Sequence, residues 1–101
     1  MLAHMVYFTL KDASLAAIDR MIADCRHYLS GHAGTTFFAV GTLLPDLTRP
    51  VNQTDFHVAL QVIFADRKSH DDYQVHPRHV AFIEANKPNW DKVRVFDADV
   101  T

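Results

Sequence analysis

Residues 56–64 read FHVALQVIF, a run in which only His57 and Gln61 interrupt the apolar character. A short run of this kind, rich in β-branched and aromatic side chains, predicts a β-strand. Because neither side of the strand is polar, both of its faces must be covered by other parts of the protein. The elements on either side of it therefore have to supply two covering layers.

The segments around this strand predict three more strands and three helices. Their signals are alternating apolar residues, apolar residues at three- and four-residue intervals, and capping residues. In chain order the elements are a strand at Ala3–Leu10, a helix between Ser14 and Gly31, a strand at Thr35–Thr42, the strand just described, a short helix from about Arg67 to Val75, a helix from Pro77 toward Lys87, and a strand from Val93 to about Asp99. The polar connection Leu44–Thr54 is the longest loop, and we expect it to be mobile or to act as a lid.

The order β-α-β-β-α-α-β indicates an α+β, ferredoxin-like split βαβ fold, with an antiparallel four-stranded sheet and the second helix broken in two. A chain of 101 residues is expected to form one domain, residues 1–101. Helices cover only one face of such a sheet, so a second copy is the simplest cover for the other. The sequence therefore predicts a two-fold homodimer packed sheet to sheet, a dimeric α+β barrel.

Charge and composition exclude several classes of partner. Ten basic and twelve acidic residues give a net charge of −2 and a pI near 6.3, so we expect no nucleic-acid partner and no membrane partner. No apolar run approaches the roughly 20 residues of a membrane span, and the first residues lack the features of a signal peptide. We expect a cytoplasmic protein, in keeping with a lone cysteine, Cys25, that can form no internal disulfide.

Histidine is the compositional outlier, with seven residues in a chain that has one glutamate. The segment Tyr73-Gln-Val-His76-Pro77-Arg78-His79 lies where one predicted helix ends and the next begins. The positive end of a helix disfavours an imidazolium, so His79 is expected to be neutral near pH 7 and available as a base. Tyr73 as hydrogen-bond donor and His79 as base suffice to remove a proton next to a carbonyl and to hold the resulting enolate.

The same residues have a purely structural interpretation. His76 would then be a helix cap, Tyr73 an interface aromatic with a satisfied hydroxyl, and His79 a partly exposed helix residue. From this segment alone the structural interpretation is favoured, because a motif is only a hypothesis until its geometry is seen.

A family resemblance changes that balance. Four features of the sequence support the resemblance. The first strand opens with His4, and the central strand at Phe56–Phe64 ends before a capped helix. A tyrosine-x-x-His-Pro-x-His element follows at Tyr73, His76, Pro77 and His79, and a closing Trp90-Asp-Lys precedes a strand with Phe96 and Asp97. On these residues the chain resembles the stress-responsive A/B barrel (Dabb) family over essentially its whole length. The resemblance implies a dimeric α+β barrel with an internal pocket.

The resemblance also implies a chemistry. It extends to plant polyketide cyclases of the family, and implies a cofactor-free cyclisation or isomerisation of a carbonyl or polyketide-like small molecule. His79 would be the base, Tyr73 the oxyanion donor, and His4, His57 and His76 pocket or substrate-binding residues. The apolar tunnel of the plant enzyme has no recognisable counterpart here, so the identity of the substrate does not carry over.

The remaining candidates have weaker signals. A histidine on an apolar strand, such as His4 or His57, is as often a core residue bonded to backbone as a functional one, and the two are expected near opposite ends of the sheet. With no HxH or HxxxH pair, we expect no metal held by His4, His57 and His79, and no cofactor. The other assignments are Cys25 in the core and His27, His32 and His70 on the surface.

Two functional hypotheses therefore stand. The first is a homodimeric enzyme with its pocket at Tyr73 and His79. The alternative is a stress-associated dimer that binds a ligand or partner without turnover, with both side chains sealed by packing. A cofactor-free oxygenase of the same architecture rests on fold analogy alone. A cavity beside Tyr73 and His79 separates the first two.

Overall fold

The computed structural model describes residues 1–101. Its strands are β1 (Leu2–Leu10), β2 (Thr35–Thr42), β3 (Val58–Phe64) and β4 (Trp90–Asp99), and its helices are α1 (Leu15–Leu29), α2 (Arg67–Val75) and α3 (Pro77–Asn86), the last followed by a 3-10 turn at Lys87–Asn89. All strand pairs are antiparallel, and the order in the sheet is β2-β3-β1-β4. The predicted ferredoxin-like α+β fold is confirmed. None of the helices combines the length and hydropathy that crossing a bilayer requires.

Two strands begin elsewhere than predicted. β3 starts at Val58 rather than Phe56. The backbone N–H of His57 still donates to the Phe8 carbonyl oxygen (2.8 Å), but the Leu10 N–H donates to the ring Nδ1 of His57 (3.0 Å) instead of to a backbone carbonyl. β4 starts at Trp90 rather than Val93, because the pairing with β1 continues past a register shift between Thr9 and Leu10.

The helices cover one face of the sheet. Alternate β1 residues, including His4, Val6 and Phe8, are buried on that face. The first helix is capped by the Ser14 side chain, which accepts a hydrogen bond from the Ala17 N–H (3.2 Å), and it buries a stripe at four-residue spacing. That stripe is Ala17, Met21, Cys25 and Leu29. Cys25 is in the core, as predicted, where burial raises the pKa of its thiol to about 12.

The opposite face of the sheet is apolar and open. Phe37 and Phe96 on this face are half exposed, at 50% and 55%. The Leu44–Thr54 connection lies against the same face, where a hollow of about 550 Å³ is lined by residues from the loop and from the outer sides of the strands, among them Leu44, Tyr7 and Phe96. The loop is therefore not a lid over the Tyr73 side of the sheet.

At Gly34 the turn before β2 packs closely against Ser69 in the first turn of α2. The φ of Gly34 is +82°, and a Cβ added there would lie 2.0 Å from the Ser69 hydroxyl oxygen. Gly31 has a similar φ of +74° but open space around it. The two glycines therefore separate the effect of backbone conformation from the effect of a steric clash.

We expect Gly34→Ala to destabilise the fold much more than Gly31→Ala. The positive φ costs each variant about 1 kcal/mol, and overpacking against Ser69 costs Gly34→Ala a further ~1–3 kcal/mol. Urea unfolding of both variants measures the difference. Equal losses in the two variants would contradict close contact between this turn and α2.

Candidate functional site

Tyr73 is the centre of the site. It lies near the end of α2, is 2% exposed, and packs against Phe64 with ring centroids 5.0 Å apart. Its hydroxyl oxygen is buried and has no hydrogen-bond partner. Burial, with a smaller effect from Cys25, raises the pKa of the phenol above its usual value. Tyr73 is therefore a neutral phenol with a proton to donate.

His79 lies beside Tyr73, with ring centroids 4.7 Å apart, and is 8% exposed. Its Nδ1 is also buried without a partner. Burial lowers the pKa of the ring to about 4, assisted by His4, His32 and His70, while the Gln74 backbone acts in the opposite direction. The imidazole is neutral at pH 7, as the sequence pattern predicts, and the main cause is its removal from water.

One cavity of about 180 Å³ connects these groups. It lies between the sheet and α3, and most of its lining is apolar, including Val6, Phe8, Leu60, Phe82 and Ile83. Three lining residues carry a buried polar atom without a partner: Tyr73 Oη, His79 Nδ1 and Trp90 Nε1. Buried polar groups are almost always hydrogen-bonded, so three exceptions around one cavity make it the candidate binding site.

The cavity reaches the surface along β4. Val93 and Val95 line it, and their pairing with Phe8 and Val6 puts them on the helix-covered face. They are nevertheless 37% and 50% exposed. Part of the helix-covered face is thus open next to the Tyr73 and His79 side chains.

Three histidines surround the Tyr73 ring. The centroids of His4, His32 and His79 lie 5.9, 4.9 and 4.7 Å from it. His4 Nδ1 is 2.6 Å from Asp97 Oδ1, and His32 Nε2 is 2.8 Å from the Tyr28 carbonyl oxygen. Burial lowers the pKa of both His4 and His32 despite these partners. The histidines next to Tyr73 are thereby kept neutral.

Two histidines predicted on the surface belong to this group. His32 is 8% exposed and packs on Tyr73, and His70 packs on His4 with ring centroids 5.2 Å apart. The sequence placed His32 in a turn and His70 on a charged helix face. Neither position shows a local signal of burial, because both histidines are covered by residues distant in sequence.

His57 and His76 do not line the cavity, which corrects their expected place in the pocket. His57 lies near the far end of β1, where its ring binds the Leu10 N–H. His76 is exposed and caps α3, its Nδ1 accepting the Arg78 N–H at 3.1 Å. The predicted separation of His4 and His57 therefore holds, and the capping interpretation of His76 is the correct one.

Trp90 is the cavity residue that sequence reasoning missed. It packs on Phe8 and Phe82 with ring centroids 5.1 and 5.9 Å apart. Its position opposite Leu10 in the sheet brings it to the cavity. The only sequence signal was an indole shortly before the predicted strand at Val93, because an indole N–H needs a partner when it is buried.

Comparison with known proteins identifies the family. The profile of the stress-responsive A/B barrel domain (Dabb) matches residues 2–100. The chain belongs to this family. A Dabb protein with a ferredoxin-like fold from Mesorhizobium loti is 30% identical to this Dabb domain, with a TM-score of 0.82 over 99% of this chain and 96% of that chain. No curated protein matches the sequence.

Two more distant solved structures share the fold of this Dabb domain. A dimeric ferredoxin-like protein of unknown function from Thermobifida fusca is 15% identical, with a TM-score of 0.81 over 98% of this chain and 90% of that chain. A hydroxynitrile lyase from Passiflora edulis is 21% identical, with a TM-score of 0.77 over 99% of this chain and 93% of that chain.

The buried His79 should make stability fall in mild acid. Its folded pKa of about 4 lies below the ordinary histidine pKa of 6.5, so the unfolded chain binds the proton more tightly and stability is lost as pH falls from about 6.5 to about 4. The size is on the order of 3 kcal/mol. Urea unfolding between pH 7 and pH 4 should show a shallower loss for His79→Leu than for the native chain.

His27→Gln is the matched control, because His27 is exposed and its replacement should leave the pH dependence unchanged. A native slope in His79→Leu would show that His79 is not held neutral by burial. Because burial also lowers the pKa of His4 and His32, some loss of stability in acid should remain in His79→Leu.

Proposed function

We propose that this Dabb domain is a homodimer that binds a small carbonyl compound at the 180 Å³ cavity and acts on it without a cofactor. His79 is the base and Tyr73 the oxyanion donor. The observation that carries the proposal is that Tyr73 Oη and His79 Nδ1, both buried and without partners, belong to residues lining one cavity.

The chemistry follows from the protonation states. Neutral His79 takes a proton from the carbon next to the carbonyl, and the electron pair of that C–H bond moves onto the carbonyl oxygen as an enolate. The Tyr73 hydroxyl donates a hydrogen bond to that oxygen. The His79 imidazolium then returns the proton to another position of the enolate, which is an isomerisation. Alternatively, the enolate carbon attacks a second carbonyl of the same molecule and the imidazolium protonates the resulting alkoxide, which is a cyclisation.

The cavity limits the ligand class. A cavity of about 150 Å³ lined by apolar groups holds a benzene ring, so 180 Å³ suits an aromatic ring with a short acyl group. The Trp90 indole N–H, which is buried without a partner, supplies a donor for a second polar atom of the ligand. One of the fold neighbours is a hydroxynitrile lyase.

Binding without turnover is the second candidate. It is favoured by the depth of Tyr73, which is 2% exposed, since a phenol sealed so deeply could serve packing alone. The two candidates differ in whether a bound carbonyl compound exchanges its α-protons.

The apolar outer face of the sheet supports the homodimer. Phe37, Phe96 and the loop residue Leu44 are half exposed or more there. Exposed apolar patches on small domains mark interaction surfaces, and three fold neighbours are described as dimeric. A second copy placed sheet to sheet would cover this face.

Catalysis is tested by proton exchange. In D₂O with EDTA, the native protein should accelerate deuterium uptake at the α-carbon of 4-hydroxyacetophenone, followed by proton NMR. We expect His79→Gln to reduce the rate about 100-fold or more, and Tyr73→Phe to reduce it about 10²-fold. His27→Gln is the control and should exchange at the native rate.

The outcomes separate the two candidates. Saturable binding of the ketone, weakened by His79→Gln but without accelerated exchange, would favour the non-catalytic candidate. Absence of binding, or exchange that His79→Gln leaves intact, would refute a site at Tyr73 and His79.

Dimer formation is tested by substitution of the outer face. Phe96→Glu places a charge in the proposed sheet-to-sheet contact and should convert a dimer into a monomer in light scattering coupled to gel filtration. Val75→Glu is the matched control, because Val75 is 76% exposed on α2 and lies outside the sheet. A native chain that runs as a monomer at micromolar concentration would contradict the homodimer.

A further inference from the structure

A cluster of potential metal ligands lies at one end of the sheet, next to the Tyr73 ring. His4 on β1, His70 on α2 and Asp97 on β4 each offer a ligand atom, and the three atoms lie within 4.8 Å of one another. We propose that these residues bind a divalent transition-metal ion of the zinc class. The proposal is independent of the function proposed for Tyr73 and His79.

The donor set selects the metal. Two imidazoles and one carboxylate suit zinc and its neighbours in the first transition series, whereas magnesium and calcium prefer oxygen ligands alone. Ligand atoms of a tetrahedral zinc ion lie about 3.3 Å apart, so the widest pair must close by about 1.5 Å at most. The hydrogen bond between His4 Nδ1 and Asp97 Oδ1, at 2.6 Å, would give way to bonds from both groups to the ion. The Asp97 side chain is 45% exposed, so it has room to adjust, while His4 is 5% exposed and held in place.

An outer carboxylate orients the imidazole of His70. His70 Nδ1 is 2.9 Å from Asp71 Oδ1, which favours the tautomer with its proton on Nδ1 and leaves the Nε2 lone pair for a ligand bond. Carboxylate–histidine–metal arrangements of this kind are usual in zinc sites. The Gln74 amide is 3.4 Å from His70 Nε2, a long contact that a metal bond would replace.

The site is reachable by a cation. Asp97 lines a surface groove together with Asp66 and Asp99, opposed by Arg67 and the chain terminus at Met1. Three carboxylates against these two positive groups leave the groove with a negative balance that attracts a divalent ion. The bound ion would join β1, α2 and β4, three elements whose mutual position also sets the wall of the Tyr73 cavity.

Zinc binding to the EDTA-treated, dialysed full chain is measured by titration calorimetry. We expect one equivalent per chain, and a melting temperature raised by on the order of 10 °C when free zinc is about 100 times its Kd. His70→Gln and Asp97→Asn should each weaken binding about tenfold or more. Both residues lie at the rim of the site, so these variants should fold, which their melting curves without zinc will check.

Two variants serve as controls. Asp72→Asn removes a carboxylate next to Asp71 that pairs instead with Lys68. His76→Asn removes the imidazole that packs on His32, the other close histidine pair, while keeping a capping side chain. Both should bind zinc with native affinity. Unchanged affinity in His70→Gln or Asp97→Asn, loss in either control, or no saturable binding would overturn the proposed site.

Discussion

The register of β1 between β3 and β4 decides which side chains meet the helices. His4 pairs with Val62 on one side and Asp97 on the other. Because side chains alternate along a strand, a slip of one residue would turn His4, Val6 and Phe8 to the opposite face together. The observed register places His4 under α2, within reach of Tyr73, and brings Asp97 to it. The cavity and the histidines around Tyr73 depend on this pairing.

A break between two helices then sets the geometry of the site. Tyr73 and His79 are six positions apart, which in one continuous helix would separate them by about 240° around the axis. The chain instead ends α2 at Val75, and His76 caps a new helix that Pro77 begins. Proline fits the first turn of a helix and not its interior. The change of direction lets both side chains line one cavity.

The unpaired polar groups of the site lower the stability of the fold. An unpaired polar group in the interior costs about 1–3 kcal/mol, and Tyr73, His79 and Trp90 each contribute one. The surrounding apolar core, which includes Phe64 and Phe82, offsets this cost. A bound molecule with matching polar atoms would recover part of it, and that recovered free energy is the physical basis for ligand binding at this cavity.

The sequence alone determined the element order, and with it the ferredoxin-like fold, because periodicity and capping residues act locally. It also brought Tyr73 and His79 together through the helix break at Pro77. Only the tertiary structure decided that His32 and His70 are covered, that Trp90 lines the cavity, and that His57 and His76 do not. Those outcomes depend on the strand register and on the packing of helices against the sheet, contacts between residues far apart in the chain, which no local pattern encodes.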